Sequence, residues 1–119
     1  MSTRPKPKRG EIWLVDLEPT IGTEIKKRRP AIVVSSDSVG RLPIKLVAPI
    51  TDWKPHFIPD IWQVRIDPNS SNGLNKISSI DTLQLRGVDT QRFIHKLGQV
   101  DDSKLEEIVL AIGFAVEHP

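Results

Sequence analysis

Ahead of residue 101 the 119-residue chain holds no stretch with a helical apolar period. Its apolar residues come in short, β-branched runs broken by ten prolines and seven glycines. Such a pattern confines the chain to a series of short strands. Glu11–Leu17 alternates, with Ile12, Val15 and Leu17, alongside Trp13, marking a half-buried strand. Ala31–Val34 and Ile44–Ile50 are bounded apolar runs that read as buried strands. Trp62, Val64 and Ile66 alternate with Gln63 and Arg65 on a further strand. Lys76–Leu85 reads as another, and Arg92–Val100 as the last, after a turn at Gly87–Thr90. Only then does the period change. Leu105, Ile108, Val109, Ile112, Ala115 and Val116 recur at three- and four-residue spacing and mark one face of a helix. Ser103 and Glu106 fit a capping box, and Asp101 and Asp102 suit the positive helix start. Sequential strands without helices between them predict a mainly β fold: a small antiparallel barrel with the C-terminal helix packed on one side.

The length suits one domain over residues 1–119, with the Pro/Lys-rich residues 1–8 as a flexible basic arm. No apolar run approaches a membrane span, and the N-terminus lacks the apolar segment of a secretory signal. The expectation is a soluble, cytoplasmic protein with no membrane attachment. Cysteine and tyrosine are absent, and the three histidines (His56, His95 and His118) are not paired at a metal-ligand spacing. That removes disulfides, thiolate metal sites and cysteine nucleophiles, so no metal and no cofactor are expected. Any catalysis falls to Asp, Glu, Ser, Thr, Lys or Arg.

The first thirty residues carry eight basic against four acidic groups; the remainder carries nine against eleven. A basic segment on a mildly acidic body suits an anionic partner, nucleic acid first, or serves solubility alone. Residues 18–30 are too polar and too Pro/Gly-punctuated for a regular element and read as a long loop. Within it, Pro30 fixes Arg29 as extended, and a guanidinium fork suits phosphate oxygens. Lys26, Lys27 and Arg28 read either as a positive rim for a nucleic-acid backbone or as a solvated loop. Thr51, at the end of an apolar strand, can donate to a phosphate oxygen or simply cap a turn. Trp53 and Phe57 can stack on bases or cover the core or a dimer contact. His56 is the one imidazole near this end, as a substrate contact or a bystander.

Together these residues carry a resemblance. Arg9-Gly-Glu-Ile-Trp-Leu-Val-Asp-Leu-Glu-Pro, Gly22-Thr-Glu, Arg29-Pro-Ala-Ile-Val-Val-Ser, Val47-Ala-Pro-Ile-Thr51 and Asp81-Thr-Leu-Gln-Leu-Arg86 resemble the MazF/PemK toxins of bacterial toxin–antitoxin systems, over about residues 8–117. The resemblance implies an SH3-like barrel and a homodimer. It implies a metal-independent endoribonuclease that cuts single-stranded RNA at a short motif and is blocked by a MazE-like antitoxin. It places the family's catalytic Arg on Arg29, its strand-end Thr on Thr51 and its loop Glu on Glu24, with Thr23 beside it among the substrate contacts. Gln84 falls where the family contacts RNA. An acidic residue common before that Gln is here Leu83, with Asp81 two places earlier.

RNA carries its own nucleophile, so such chemistry needs no Cys, Tyr or paired His. The 2′-hydroxyl attacks the adjacent phosphorus and leaves a 2′,3′-cyclic phosphate and a 5′-hydroxyl. Arg29 and Thr51 suit the charge that develops on the phosphorane. Glu24 is a candidate base, weakened by any pairing with Arg29. Two other classes share the fold: a CcdB-like toxin that binds DNA gyrase without nuclease activity, and a barrel that only grips RNA.

Overall fold

The computed structural model describes residues 5–118. Seven strands and one helix follow in the order β1 (Glu11–Asp16), β2 (Arg28–Val33), β3 (Ile44–Asp52), β4 (Gln63–Ile66), β5 (Ser78–Asp81), β6 (Arg86–Asp89), β7 (Phe93–Gln99) and α1 (Asp102–Ala115). The antiparallel sheet runs β4-β5-β3-β2-β1-β7, with β6 pairing β3 off this path. No pairing joins β4 to β7, so the sheet curls without closing; the expected barrel is an open one.

β3 is the strand that organises the rest. One edge pairs with β2; the other pairs with β6 over Ile44–Val47 and then with β5 over Ile50–Asp52. Its centre is buried, and the strand alternation of side chains feeds two cores. Ile12, Ile32, Ala48, Ile50, Val64, Ile66 and Ile80 pack on one face against Ile108 and Ala111 of α1. Val15, Leu17, Ala31, Val33, Val47, Val88 and Phe93 fill the other, with Trp13 and Ile25 partly covering it. Burial on both faces is why β2 and β3 read as continuous apolar runs.

Five expectations need correction. Strand β2 begins at Arg28, so the long loop ends sooner than residue 30. The single strand over Lys76–Leu85 is broken: Asp81 accepts from the Leu83 N–H at 3.0 Å and starts a 3-10 turn over Thr82–Gln84. The residues expected to turn, 87–89, instead lie in β6 on the edge of β3. The helix cap is Asp101, whose carboxylate accepts from the Lys104 N–H at 2.8 Å, and Ser103 lies inside the helix. Such a cap contributes about 1 kcal/mol. The buried helix face is Leu105, Ile108 and Ala111, whereas Val109, Ala115 and Val116 are exposed.

Of the expected arm, residues 1–4 lie outside the described residues. Pro7 is fully buried, and the Lys8 N–H donates to Glu11 at 2.8 Å. Glu11 also accepts from Trp13 Nε1 at 3.0 Å and pairs with Lys96 at 3.1 Å. Burial raises this carboxyl's pKa, but the donors outweigh it and hold the group below its ordinary value. The clamp therefore contributes stability at neutral pH that fades as acid brings the pH down through that lowered value.

Between β4 and β5 the chain crosses directly over β7. A Cβ at Gly73 (φ 71°) would lie 2.1 Å from the Leu97 carbonyl oxygen, and one at Gly98 2.3 Å from that of Ser71. Asn72, fully buried, ties the crossing together by donating to the Asp67 carbonyl at 2.9 Å and accepting from the Leu74 N–H at 3.0 Å.

Candidate active site

The β2–β3 register pairs Ala31 with Pro49, Ile32 with Ala48 and Val33 with Val47. Continued beyond the paired residues, that register would set Arg29 opposite Thr51 two places on and Arg28 opposite Asp52 three places on. Pro30 keeps Arg29 extended, so the two residues singled out by sequence meet where their strands end. Arg29, Thr51 and Asp52 line one cleft of about 220 Å³, together with Asn75 and Lys76 from the connection that crosses β7. Arg29 Nε donates to the Lys26 carbonyl at 3.4 Å, which steadies the side chain and leaves the outer guanidinium nitrogens for a ligand. Lys76 Nζ lies 3.5 Å from Asp52 Oδ1. Neither Asp52 nor Lys76 was singled out by sequence reasoning. Lys76 reaches the cleft from a turn-rich segment, and no local pattern marks such a residue.

Glu24 is not in this cleft. Its carboxylate accepts from the Ile21 N–H at 2.5 Å, and it lines a separate cleft of about 400 Å³ with Leu17, Pro19, Ile25, Gln84 and Arg86. Expected as a supporting base beside Arg29, Glu24 instead closes a turn within the loop with its carboxylate, and the structure does not bring it into the cleft of Arg29. Thr23 is exposed on the same loop.

Gln84 holds that loop in place. Its carbonyl accepts from the Ile25 N–H at 2.7 Å, and its amide donates to Asp81 at 3.0 Å. Arg86 donates to the Leu17 carbonyl at 3.1 Å, and Arg92 to the carbonyls of Asp16 and Glu18. The block that looked like an RNA contact by sequence therefore clamps both flanks of the basic loop.

Lys26, Lys27, Arg28 and Arg29 are all exposed, and among the described residues none of them makes an ion pair. Four unpaired cations beside the cleft give it a positive rim. Trp53 meets Phe57 edge-on at 5.8 Å, His56 packs on Phe57 at 4.7 Å, and the Arg65 guanidinium lies 5.8 Å from the Trp53 ring. Trp53 and Phe57 are half-buried and His56 exposed, so they form a partly open aromatic surface next to Thr51 along the chain. Among the described residues no group of three or more His, Asp or Glu side chains is placed to hold a metal ion. No described helix is long and apolar enough to cross a membrane.

Comparison with known proteins adds to this geometry. Residues 8–115 match the family described as the PemK-like, MazF-like toxin of type II toxin–antitoxin systems. The chain is similar to the endoribonuclease MazF9 of Mycobacterium tuberculosis, with 32% identity over 85% of this chain and 88% of that one. It is equally similar to the endoribonuclease EndoA of Bacillus subtilis, 32% identical over 92% of this chain and 93% of that one. In fold it is similar to crystalline MazF from Deinococcus radiodurans: TM-score 0.77 at 21% identity, over 93% of this chain and 96% of that one. A mycobacterial endoribonuclease bound to its cognate antitoxin shares the fold at a TM-score of 0.72 and 17% identity, over 96% of this chain and 98% of that one.

Proposed function

Because the chain belongs to the PemK-like, MazF-like family of type II toxins, we propose that it is a toxin endoribonuclease that cuts single-stranded RNA by 2′-hydroxyl attack. The observation that carries this reading is the convergence of Arg29 and Thr51 on one cleft rimmed by unpaired cations. Arg29 stabilises the extra charge of the phosphorane and Thr51 gives one further hydrogen bond to a phosphoryl oxygen. Preorganised donors of this kind are worth about 10²–10³ in rate each. Nothing in this chemistry calls on a metal, because the nucleophile belongs to the RNA.

A MazE-like antitoxin is the expected partner, supported by the antitoxin complexes among relatives of this fold. The family resemblance makes the toxin a homodimer. The exposed Val109, Leu110, Phe114 and Val116 of the helix end support an apolar contact with a second copy. The CcdB-like alternative of a toxin without nuclease activity has less support, because relatives at 32% identity are endoribonucleases by name.

The test is incubation with a long RNA in EDTA, followed by end-group analysis. Internal cuts bearing 2′,3′-cyclic phosphate and 5′-hydroxyl ends are expected. Intact RNA, 5′-phosphate ends, or a requirement for magnesium would overturn the proposal.

The rim yields a separate expectation. Replacing Lys26, Lys27 and Arg28 with Gln should weaken binding of a 2′-blocked RNA for every sequence. It should flatten the slope of log affinity against log salt by about 0.7 per lost contact on the single-strand scale. The cut motif should stay as it is, because phosphate contacts position the strand and base contacts specify it. Binding across a salt series and a cleavage map of the triple variant check both points.

A further inference from the structure

A strained turn sits between the basic loop and the cleft. Lys27 holds a left-handed backbone (φ 68°), which a non-glycine residue keeps only where the bonds around it leave no alternative. Those bonds lie on both sides. The Lys27 N–H donates to the Glu18 carboxylate at 2.9 Å, and the Leu17 N–H donates to the Lys27 carbonyl at 3.0 Å. Two residues earlier, the Ile25 N–H donates to the Gln84 amide oxygen at 2.7 Å. Between these anchors lies the Lys26 carbonyl, the acceptor of Arg29 Nε. Resting on the endoribonuclease reading, we infer that Asp81 and Gln84 are positioning residues for Arg29: they form a relay that sets where the Lys26 carbonyl, and with it the guanidinium, stands.

The polarity of the relay is fixed at both ends. An N–H only donates and a carboxylate only accepts, so one orientation of the Gln84 amide satisfies both. Its oxygen faces Ile25, and its nitrogen donates to Asp81 Oδ2 at 3.0 Å. The other carboxylate oxygen accepts from the Leu83 N–H at 3.0 Å. Asp81 is buried at the end of β5, opposite Gln63 of β4, so the relay starts from the sheet. It runs through Gln84 to Ile25, along one peptide link to Lys26, and on to Arg29. Neither Asp81 nor Gln84 lines the cleft of Arg29 and Thr51, so their route to the reaction is the loop. The last link, at 3.4 Å, is the longest, so the relay trims the placement of the guanidinium rather than holding it alone. A misplacement of about 1 Å costs up to about a hundredfold in rate, and about tenfold is expected from losing the relay.

The experiment reverses the polarity. Asp81→Asn sets one amide nitrogen against another, and Gln84→Glu sets two carboxylates face to face; each breaks the relay. Together the two substitutions restore it, because the new amide donates to the new carboxylate, which accepts from the Ile25 N–H as before. Single-turnover cleavage at saturating RNA should fall about tenfold in each single variant and return to within about twofold in the pair. On an Arg29→Ala background, Asp81→Asn should cost less than about twofold more, because the relay has nothing left to position. Hydrogen exchange at the Ile25 amide should quicken in the single variants and slow again in the pair, and thermal melts report folding. Should a single variant fail to fold, Gln84→Ala takes its place, with the same loss expected. Single variants that cut within about twofold of the unaltered protein would overturn the inference. So would a pair no faster than the single variants, because Gln84 would then touch the RNA itself. A full loss on the Arg29→Ala background would overturn it too, because the role would then be generally structural. If the unaltered protein leaves RNA intact, the endoribonuclease reading falls and this inference with it; single variants that cut at the full rate remove this inference alone.

Discussion

Arg29→Ala is expected to slow single-turnover cleavage of RNA by about a thousandfold and leave the fold in place. The guanidinium lines the cleft, and among the described residues its outer nitrogens have no partner. Its loss removes both charge and fork geometry from the developing phosphorane, at the upper end of the 10²–10³ expected for one preorganised donor. Stability should change by less than about 0.5 kcal/mol, because the side chain is exposed and its one bond, to the Lys26 carbonyl, is long. Arg29→Lys keeps the charge but not the fork and should fall between the two. Thr51→Ala, which deletes a single neutral donor, should cost about a hundredfold. Single-turnover rates and melting curves check the set, and a rate for Arg29→Ala within threefold of the unaltered protein would count against the assignment.

Gly98→Ala is expected to cost about 3 kcal/mol of stability, a drop of roughly 10 °C in Tm for a chain of this size. The methyl would lie 2.3 Å from the Ser71 carbonyl oxygen and 2.5 Å from the Asn72 carbonyl carbon. Both are backbone atoms, and Asn72 is buried and bonded on two sides, so neither can yield as a flexible side chain would. Relief requires the 69–75 segment to lift off β7. That segment carries Asn75 and Lys76 to the cleft, so RNA affinity should fall along with Tm. Thermal melts with binding of a 2′-blocked RNA measure both, and an unchanged Tm would mean that the crossing is not rigid.

Much of this arrangement was legible in the chain because it is local. The Arg-Pro pair keeps the first residues of β2 extended, the apolar run forms most of β3, and the antiparallel pairing of the two strands brings Arg29 and Thr51 to one cleft. What lay hidden depends on partners far away in sequence. Asp52 looked like an ordinary strand-end residue because Lys76 meets it only through the β3–β5 register and the crossing of β7. The turn that Glu24 closes was hidden because sequence proximity to Arg29 says nothing about which N–H its carboxylate will accept. Gln84 sits where the family contacts RNA, yet both ends of its amide are committed to Asp81 and Ile25. At the helix start, two capping signals lay two residues apart, and Asp101, with the Lys104 N–H in reach, took the role from Ser103. The break at Asp81 was missed because Lys76–Leu85 has strand composition throughout; a single side-chain acceptor ends the strand there.

The clamps on the basic loop sit on its flanks: Arg86 and Arg92 at Asp16–Glu18, Gln84 at Ile25. Between them the tip is exposed, with Ile21 at 84%. The anchor points and the cutting residues thus belong to the scaffold, and the tip belongs to neither. Residues 20, 21 and 23 can be rewritten over generations without disturbing Arg29, provided Gly22 keeps the positive φ of 59° that turns the tip. A lineage built this way can change which RNA sequences it meets while inheriting its chemistry intact, so diversification of targets and preservation of the cut proceed as separate evolutionary problems.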